Sequence, residues 1–483
     1  MTTIRLSFLF SFAEKYAILL ISTASAMVLG RVLTPAEIGA YSMGAALGGL
    51  SQVLRDFGVG QYLVQEKELT RDKLRAALAT SLAAAWFVAL VLLAGAAPLA
   101  RFYAAPPLER VLQVLAVNLM LIPFTAVSLP CLRRQMRFAA IFAINLANAL
   151  AQLACSIGLA VLGYGSLSLA WGALAGTVAA LLASLCFRQP ERPWLPGRRG
   201  MRRVLSFGSY AVGGGIIDEI GVSAPDLIVG KIIGLAGAGM YSKAQGLINL
   251  FSQAITSAVA PVIFPLFAAQ ARSGADLRAT YFKTVSWMTA LAWPFFTFLA
   301  LMALPIIRVL YGDQWDAAVP LVRVMCGAAA LYSVFNMARY LLVALGEVKA
   351  QARLDALTVP VRLLALLAAA PLGLDAVAWA VVAGAVFRAW LTWRYLARLA
   401  ELRLPALLRA VRSSALLAGV SALAPLAVLA TMRIGSGQLL LPLVLAGAGT
   451  LLLWLTTVLL LKHELAAELG LLGRRLLPWR SPS

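Results

Sequence analysis

Apolar residues fall in runs of about twenty along the whole chain, separated by short polar stretches. The runs lie at approximately 8–30, 39–64, 76–99, 110–130, 138–162, 166–187, 206–233, 239–266, 284–307, 318–343, 354–373, 376–397, 411–431 and 438–461. A helix of about 20 residues, rising ~1.5 Å per residue, crosses the hydrocarbon of a bilayer. A backbone in lipid must satisfy its own hydrogen bonds, which helices do segment by segment. The pattern therefore predicts an all-α polytopic membrane protein with about fourteen transmembrane helices.

Composition sharpens that picture. Hydrophobic residues make up 61% of the chain and charged residues 13%, whereas soluble domains hold about 45–50% and about 25%. A soluble enzyme, a disordered chain and a secreted disulfide scaffold are excluded. Ala24-Ser25-Ala26 imitates a signal-peptidase site, but Glu14-Lys15 interrupts the apolar stretch before it. That segment reads as a retained first span.

A net charge of +21 would suggest nucleic acid on a soluble protein. Here the basic residues sort by loop instead. With both termini inside, cytoplasmic segments hold 28 Lys and Arg and external segments hold 6. Such alternation is the positive-inside pattern and predicts N-in, C-in topology, with no nucleic-acid partner. The longest connection, 188–205, is basic, and no external loop has room for a catalytic domain. The tail 462–483 carries Leu465, Leu469, Leu472, Leu476 and Trp479 among charges and reads as an interfacial helix.

Chemistry-bearing residues are few. His463 is the sole histidine, and Cys131, Cys155, Cys186 and Cys326 form no CxxC pair. Gly230-Lys231 is followed by Ile232, so no phosphate-binding loop motif is present. No enzyme activity, metal or cofactor is expected.

The chain also repeats itself. Gly30-Arg31-Val32-Leu33-Thr34-Pro35-Ala36-Glu37-Ile38-Gly39-Ala40-Tyr41-Ser42 returns as Gly230-Lys231-Ile232-Ile233-Gly234-Leu235-Ala236-Gly237-Ala238-Gly239-Met240-Tyr241-Ser242. Leu74-Arg75-Ala76 matches Leu277-Arg278-Ala279, and Pro98, Arg101 and Tyr103 match Pro305, Arg308 and Tyr311. Three echoes in order define a duplication of six spans. An even count gives both copies the same membrane direction, so a pseudo-two-fold along the membrane normal should relate them. The expected organisation is an N-terminal six-helix bundle (1–187), a basic linker (188–205) and a C-terminal six-helix bundle (206–400). Lipid-facing accessory helices 13 and 14 (401–461) and the tail (462–483) follow.

Several of these segments carry a family likeness. Leu33-Thr-Pro-Ala-Glu-Ile-Gly-Ala-Tyr41, Asp56-Phe-Gly-Val-Gly60, Pro225-Asp226-Leu-Ile-Val-Gly-Lys231, Gly239-Met-Tyr-Ser-Lys-Ala244 and Tyr311-Gly-Asp-Gln-Trp315 stand in order. Together they resemble the Wzx-like flippases of the multidrug/oligosaccharidyl-lipid/polysaccharide superfamily, over spans 1–10 and fading after about residue 350. The resemblance implies two six-helix bundles in a MATE-like V around a central cavity, with two extra helices. It implies a bacterial inner-membrane transporter that moves an undecaprenyl-pyrophosphate-linked oligosaccharide to the outer leaflet by alternating access. Membrane lipids, a polysaccharide polymerase and chain-length machinery are the partners it suggests.

Charges inside spans cost about 2.5–3.5 kcal/mol each on insertion scales and so mark cavities or partners. Glu14, Lys15, Arg55 and Asp56 share a level near the cytoplasmic side of spans 1 and 2 and form a candidate inner gate. Static pairing or snorkelling is the competing reading. Span 7 has Gly213-Gly214-Gly215, then Asp218, Glu219, Pro225 and Asp226; interrupted acidic spans are where transporters bend or coordinate ions. Asp218, Glu219 and Asp226 are thus candidates for H+ or Na+ coupling, and Asp226 with Lys243 for an outer pair. Tight helix packing is the alternative use of the glycines. Arg362 falls near the bilayer middle; with Arg388, Arg339 and Arg55 it is a candidate lining for a cationic cavity. The planar guanidinium donates two parallel bonds to a pyrophosphate. Snorkelling competes for Arg339 and Arg388.

Two other functions compete with this reading. A drug or metabolite antiporter of the same superfamily commonly has twelve spans, against fourteen here. A membrane glycosyltransferase or polymerase usually carries long external loops with acids, against short ones here. Export of a finished polymer is not distinguished by these residues.

Overall fold

The computed structural model describes residues 2–56, 59–66, 68–187, 195–197, 201–432 and 439–466. Among the described residues the regular elements are all helices. The chain divides into two compact units, Met1–Ser242 and Lys243–Ser483. The first holds α1 (Thr2–Val32), α2 (Pro35–Asp56), α3 (Val59–Gln65), α4 (Arg71–Phe102) and α5 (Pro106–Leu121). It continues with α6 (Pro123–Ala126), α7 (Ser128–Arg134), α8 (Phe138–Val161), α9 (Ser166–Cys186) and α10 (Met201–Ile232). The start of α11 (Leu235–Phe251) also belongs to it. The second unit takes the rest of α11, then α12 (Ser257–Arg272), α13 (Leu277–Leu301), α14 (Ala303–Leu310) and α15 (Val319–Val334). It ends with α16 (Ala338–Ala344), α17 (Val348–Ala369), α18 (Leu374–Leu399), α19 (Leu404–Thr431) and α20 (Leu440–Leu460).

Twelve helices among the described residues are long and apolar enough to cross a membrane. This is a multi-pass membrane protein. The two predicted spans outside that dozen are α2 and α10. Both have the length, 22 and 32 residues. What they lack is apolarity: α2 carries Gly39, Gly44, Gly48, Gly49, Ser51 and Gln52, and α10 carries Asp218, Glu219 and Asp226. A count of fourteen depends on these two polar helices.

The N-terminus of α2 shows why its motif reads Thr-Pro-Ala-Glu. Thr34 caps the helix: its Oγ1 accepts from Glu37 N–H at 3.3 Å, while Glu37 Oε2 accepts from Thr34 N–H at 2.8 Å. This reciprocal capping box satisfies two orphan donors, and Pro35 occupies the first helical position, where no N–H is missed.

In the first unit, α2, α4 and α5 share a core of Met43, Leu92, Leu108 and Leu112. α9 packs along α8 through Gly172, against Ser156, and Gly176, against Asn148 and Gln152. α10 packs along α2 in the reverse direction, with Gly230 on Met43 and Gly49 on Glu219 and Ser223. The repeat in the sequence suggests a boundary near 206, whereas the contacts divide the chain at Ser242, which keeps α10 with α2. α10 runs unbroken through Gly213–Gly215 and Pro225. The irregularity expected in span 7 is therefore not an unwinding; the π-helical turn lies instead at Ser252–Thr256, between α11 and α12.

The two copies of the repeat motif meet within the first unit. A side chain on Gly39 would strike the Leu235 carbonyl, and one on Gly239 would strike the Pro35 carbonyl. Positions 35 and 235 are equivalent in the repeat, as are 39 and 239. The contact is thus reciprocal, as a two-fold operation requires.

In the second unit α13 is flanked by α15 and by α19, and α20 packs on α19. The accessory helices are bonded to the bundle, not only greased against it. Thr289 Oγ1 donates to Ser414 Oγ at 2.8 Å, Ser414 Oγ donates to the Ser286 carbonyl at 3.2 Å, and Trp454 Nε1 donates to the Ala290 carbonyl at 2.9 Å. Their outward faces carry exposed leucines such as Leu416, Leu423, Leu451 and Leu452, as lipid contact requires. The tail beyond Ala466 lies outside the described residues.

His463 closes this network just past α20. It is 5% exposed; Nδ1 accepts from Leu465 N–H at 3.2 Å, which puts the ring proton on Nε2, 3.1 Å from Ser286 Oγ. Burial holds the imidazole below its ordinary value, against a smaller upward pull from Glu464. The unfolded ring binds its proton near 6.5 and the folded ring only at lower pH. The stability this group contributes is complete above about 6.5 and is lost as pH falls through the folded value. Thermal unfolding of the purified chain should show a falling midpoint below about pH 6.5 that flattens in His463→Gln. Identical pH profiles for the two proteins would exclude the histidine as the cause.

Candidate functional site

The second unit holds a half-open cavity of about 280 Å³ lined by α11, α13, α15, α17 and α18. Its polar wall comes from Gln245, Asn249, Ser252 and Thr256, spaced four, three and four apart along α11 and the π-helical turn. Such spacing keeps them on one helix face, and single π turns recur at functional sites. Gln245 Nε2 donates to Asn249 Oδ1 at 3.0 Å, and Asn336 Nδ2 donates to Thr256 Oγ1 at 2.9 Å. These bonds hold the amides in place.

Across from them stand Arg362 of α17 and Arg388 of α18, the only charged side chains among the described residues lining the cavity. Arg362 can lie there because α18 has no side chain at Gly384, whose Cβ would sit 3.0 Å from Arg362 Cγ. Arg388 is fixed from behind: one amino group reaches Asp355 Oδ1 at 3.0 Å, and the guanidinium lies 5.3 Å from the Tyr332 ring centre. Asp355 is 6% exposed, and Gln351 Nε2 donates to its second oxygen at 2.7 Å. A buried charge stripped of its partner costs about 3–5 kcal/mol, so this pairing keeps both ions tolerable in the bundle.

The structure thus brings together two of the four arginines singled out by sequence. Arg339, on α16, is not among the residues that line the cavity, and the Arg55 side chain lies outside the described residues. Asp355 and Gln351 were missed. Their signal was the stripe Gln351, Asp355, Thr358, Arg362 along α17, spaced four, three and four apart. A neutral counterpart stands 206 residues earlier on α8, where Asn145, Gln152 and Ser156 correspond to Gln351, Thr358 and Arg362.

The remaining candidates lie elsewhere. In the first unit, Glu14 accepts from Asn145 Nδ2 at 2.6 Å; Lys15 precedes Tyr16 on the same helix, and the Asp56 side chain lies outside the described residues. Glu219, next to Asp218, accepts from Ser223 Oγ one turn later, at 2.5 Å. Asp226 Oδ1 is enclosed with no hydrogen-bond partner among the described residues. In the second unit Lys243 Nζ lies 4.5 Å from the Tyr311 ring centre and 5.6 Å from that of Trp315. Burial pushes the Tyr311 phenol up to about 12, so it stays neutral. Arg308 clamps the following turn through Asp316, at 2.9 and 2.6 Å. The Tyr-Gly-Asp-Gln-Trp motif therefore builds a packed corner. Among the described residues, no group of three His, Cys, Asp or Glu side chains is placed to hold a metal ion.

Residues 28–320 match the family described as polysaccharide biosynthesis protein, more than half of the 483 residues. The chain belongs to that family. Among this polysaccharide biosynthesis protein's relatives, the teichuronic acid biosynthesis protein TuaB of Bacillus subtilis is 21% identical over 66% of this chain and 67% of its own. The lipopolysaccharide biosynthesis protein WzxC of Escherichia coli is 23% identical, over 66% of each chain. The succinoglycan biosynthesis transport protein ExoT of Rhizobium meliloti is 26% identical, over 61% of this chain and 59% of its own. The matches thus span about two thirds or less of those relatives' length. The lipid II flippase MurJ superposes with a TM-score of 0.69 at 11% identity, covering 94% of this chain and 99% of MurJ. A multidrug-resistance MATE transporter of the MOP superfamily superposes at 0.63 with 14% identity, covering 81% of this chain and 96% of its own. At such identities the likeness establishes the fold. Arg362 and Arg388 stand beyond the family match, so only their own geometry speaks for them.

Proposed function

We propose that this protein flips a lipid-linked oligosaccharide from the cytoplasmic to the outer leaflet of the bacterial inner membrane, with both termini in the cytoplasm. The observation that carries the reading is the pair Arg362 and Arg388 on one cavity wall inside membrane-spanning helices. Guanidinium forks match the oxygens of a pyrophosphate bidentately, and the neighbouring amides and hydroxyls supply neutral donors and acceptors suited to sugar. No bond need form or break for such a head group to cross, so the protein is a carrier and not an enzyme. MurJ and the relatives named for lipopolysaccharide, teichuronic acid and succinoglycan biosynthesis support this assignment. Asp218, Glu219 and Asp226 are the residues through which H+ or Na+ would couple, and the polymerase and chain-length machinery would act on the delivered unit.

Deletion of the gene tests the reading. Undecaprenyl-pyrophosphate-linked sugars should accumulate on the cytoplasmic face and return to normal when the wild-type chain is restored. An unchanged distribution between leaflets would remove the proposal.

A further inference from the structure

We propose that α12 and α16 form one jointed flap at an end of the cavity in the second unit, hinged where their two spans break and latched by the bond between Asn336 and Thr256. The helix α11 passes into α12 through the π-helical turn Ser252–Thr256, and α15 passes into α16 through a tightened turn. There Phe335 N–H donates to the Tyr332 carbonyl and Ala338 N–H to the Phe335 carbonyl, both at 3.0 Å and both reaching back one residue less than an α-helix does. Breaks of these two kinds are where a span changes direction readily. Asn336 Nδ2 donates to Thr256 Oγ1 at 2.9 Å, which puts both breaks at one depth. Neighbouring helices broken at one level share a hinge line, and the few residues in it absorb the change of angle.

Past that line the two segments hold to each other. The principal packing partner of α12 outside its own span is α16, with the Phe264 and Tyr340 ring centres 6.1 Å apart. α12 is itself loosely built: Pro261 and Pro265 each remove a backbone donor, and Val262 and Leu266 are exposed. α16 is only seven residues long and has space to move into. A half-open pocket of about 460 Å³ lies against its Leu341 and Leu345, with the turn 274–278 and residues 399–402 as the other walls. Arg278 and Glu401 pair between those walls at 2.6 Å, which ties them to each other and not to α16. Ser252, Thr256 and Asn336 all line the arginine cavity, so the hinge line is part of its wall. A swing of α16 toward the pocket carries α12 with it and widens the cavity at that end. With both termini in the cytoplasm this is the cytoplasmic mouth, where a lipid-linked head group would enter. That role rests on the cavity being the head-group site; the motion does not.

Hydrogen–deuterium exchange of the full-length protein in nanodiscs tests this. Thr256→Val and Asn336→Leu each remove the latch, whereas Thr256→Ser keeps the hydroxyl. In both latch variants the amides of α12 and α16 should exchange about ten-fold faster than in the wild type, by one common factor, with α11, α13 and α15 unchanged. Thr256→Ser should match the wild type. Should Asn336→Leu fail to fold, Thr256→Val decides the matter alone. Acceleration confined to one of the two segments, equal acceleration in α11 and α15, or none at all would overturn the flap. A short-chain polyprenyl-pyrophosphate N-acetylglucosamine added to the wild type should slow exchange in both segments by about three-fold as the flap closes on it. If the latch variants behave as expected and this probe changes neither segment, the flap stands and the head-group reading fails instead.

Discussion

Replacing Arg362 with glutamine is expected to cut flipping by about ten- to a hundred-fold while leaving the fold intact. The side chain loses its charge-assisted donors: one such hydrogen bond is worth ~1.5–3 kcal/mol, which sets the lower end of the range. Arg362 has its stem laid across Gly384, so glutamine keeps the packing near the backbone and removes only the fork. Arg362→Lys keeps the charge without the planar pair of donors and should fall between wild type and Arg362→Gln, about three- to five-fold down. Arg339→Gln, off the cavity wall, should stay within about two-fold of wild type. The measurement is translocation of a fluorescent pyrophosphate-linked sugar lipid in proteoliposomes, with thermal midpoints as the folding control. Equal loss in Arg362→Gln and Arg339→Gln would mean that the cavity is not the head-group site.

Most of the helices could be read from the chain because membrane spans are local objects. Twenty apolar residues announce a span without reference to any partner. The exceptions are instructive. α2 and α10 are the helices that pack against each other through Gly49, Gly230 and Glu219, and their polarity, which weakens them as spans, is what suits them to that contact. Gly213–Gly215 weakens a helix by propensity, with tight packing as the alternative use of the glycines; the backbone of α10 runs through them as helix.

The cavity was half legible. Arg362 stood out because a lone arginine near mid-membrane demands an explanation. Asp355 did not, because its meaning comes from Arg388, 33 residues away on the next helix, and such pairing is a property of packing. The stripe on α17 was nonetheless written in the spacing of Gln351, Asp355, Thr358 and Arg362. Setting it beside the neutral stripe on α8 would have shown that the second copy of the repeat alone carries the charges. His463 was hidden for a similar reason. At the head of a charged tail it reads as exposed, but a backbone turn after α20 brings it against Ser286 of α13.

The second large effect is expected where the two repeat motifs touch. Gly39→Val should abolish flipping, because the new side chain meets the Leu235 carbonyl, which is backbone and cannot rotate aside. Overpacking a well-filled site costs about 1–3 kcal/mol even when side chains can adjust, and here whole helices must separate. A conformer destabilised by ~3 kcal/mol loses its population by more than a hundred-fold, and a carrier deprived of one of its states cannot cycle. The reciprocity of the contact makes a sharper prediction. Gly39→Ala and Gly239→Ala each force the same helices apart, so whichever comes first opens the space that the second needs. The double variant should therefore cost clearly less than the sum of the singles, a coupling of about 0.5–3 kcal/mol of the kind expected for residues in contact. Thermal unfolding of the four proteins measures it directly. Strict additivity would mean that the glycines act independently, and that their backbone-to-backbone approach is not what ties the two copies of the motif together.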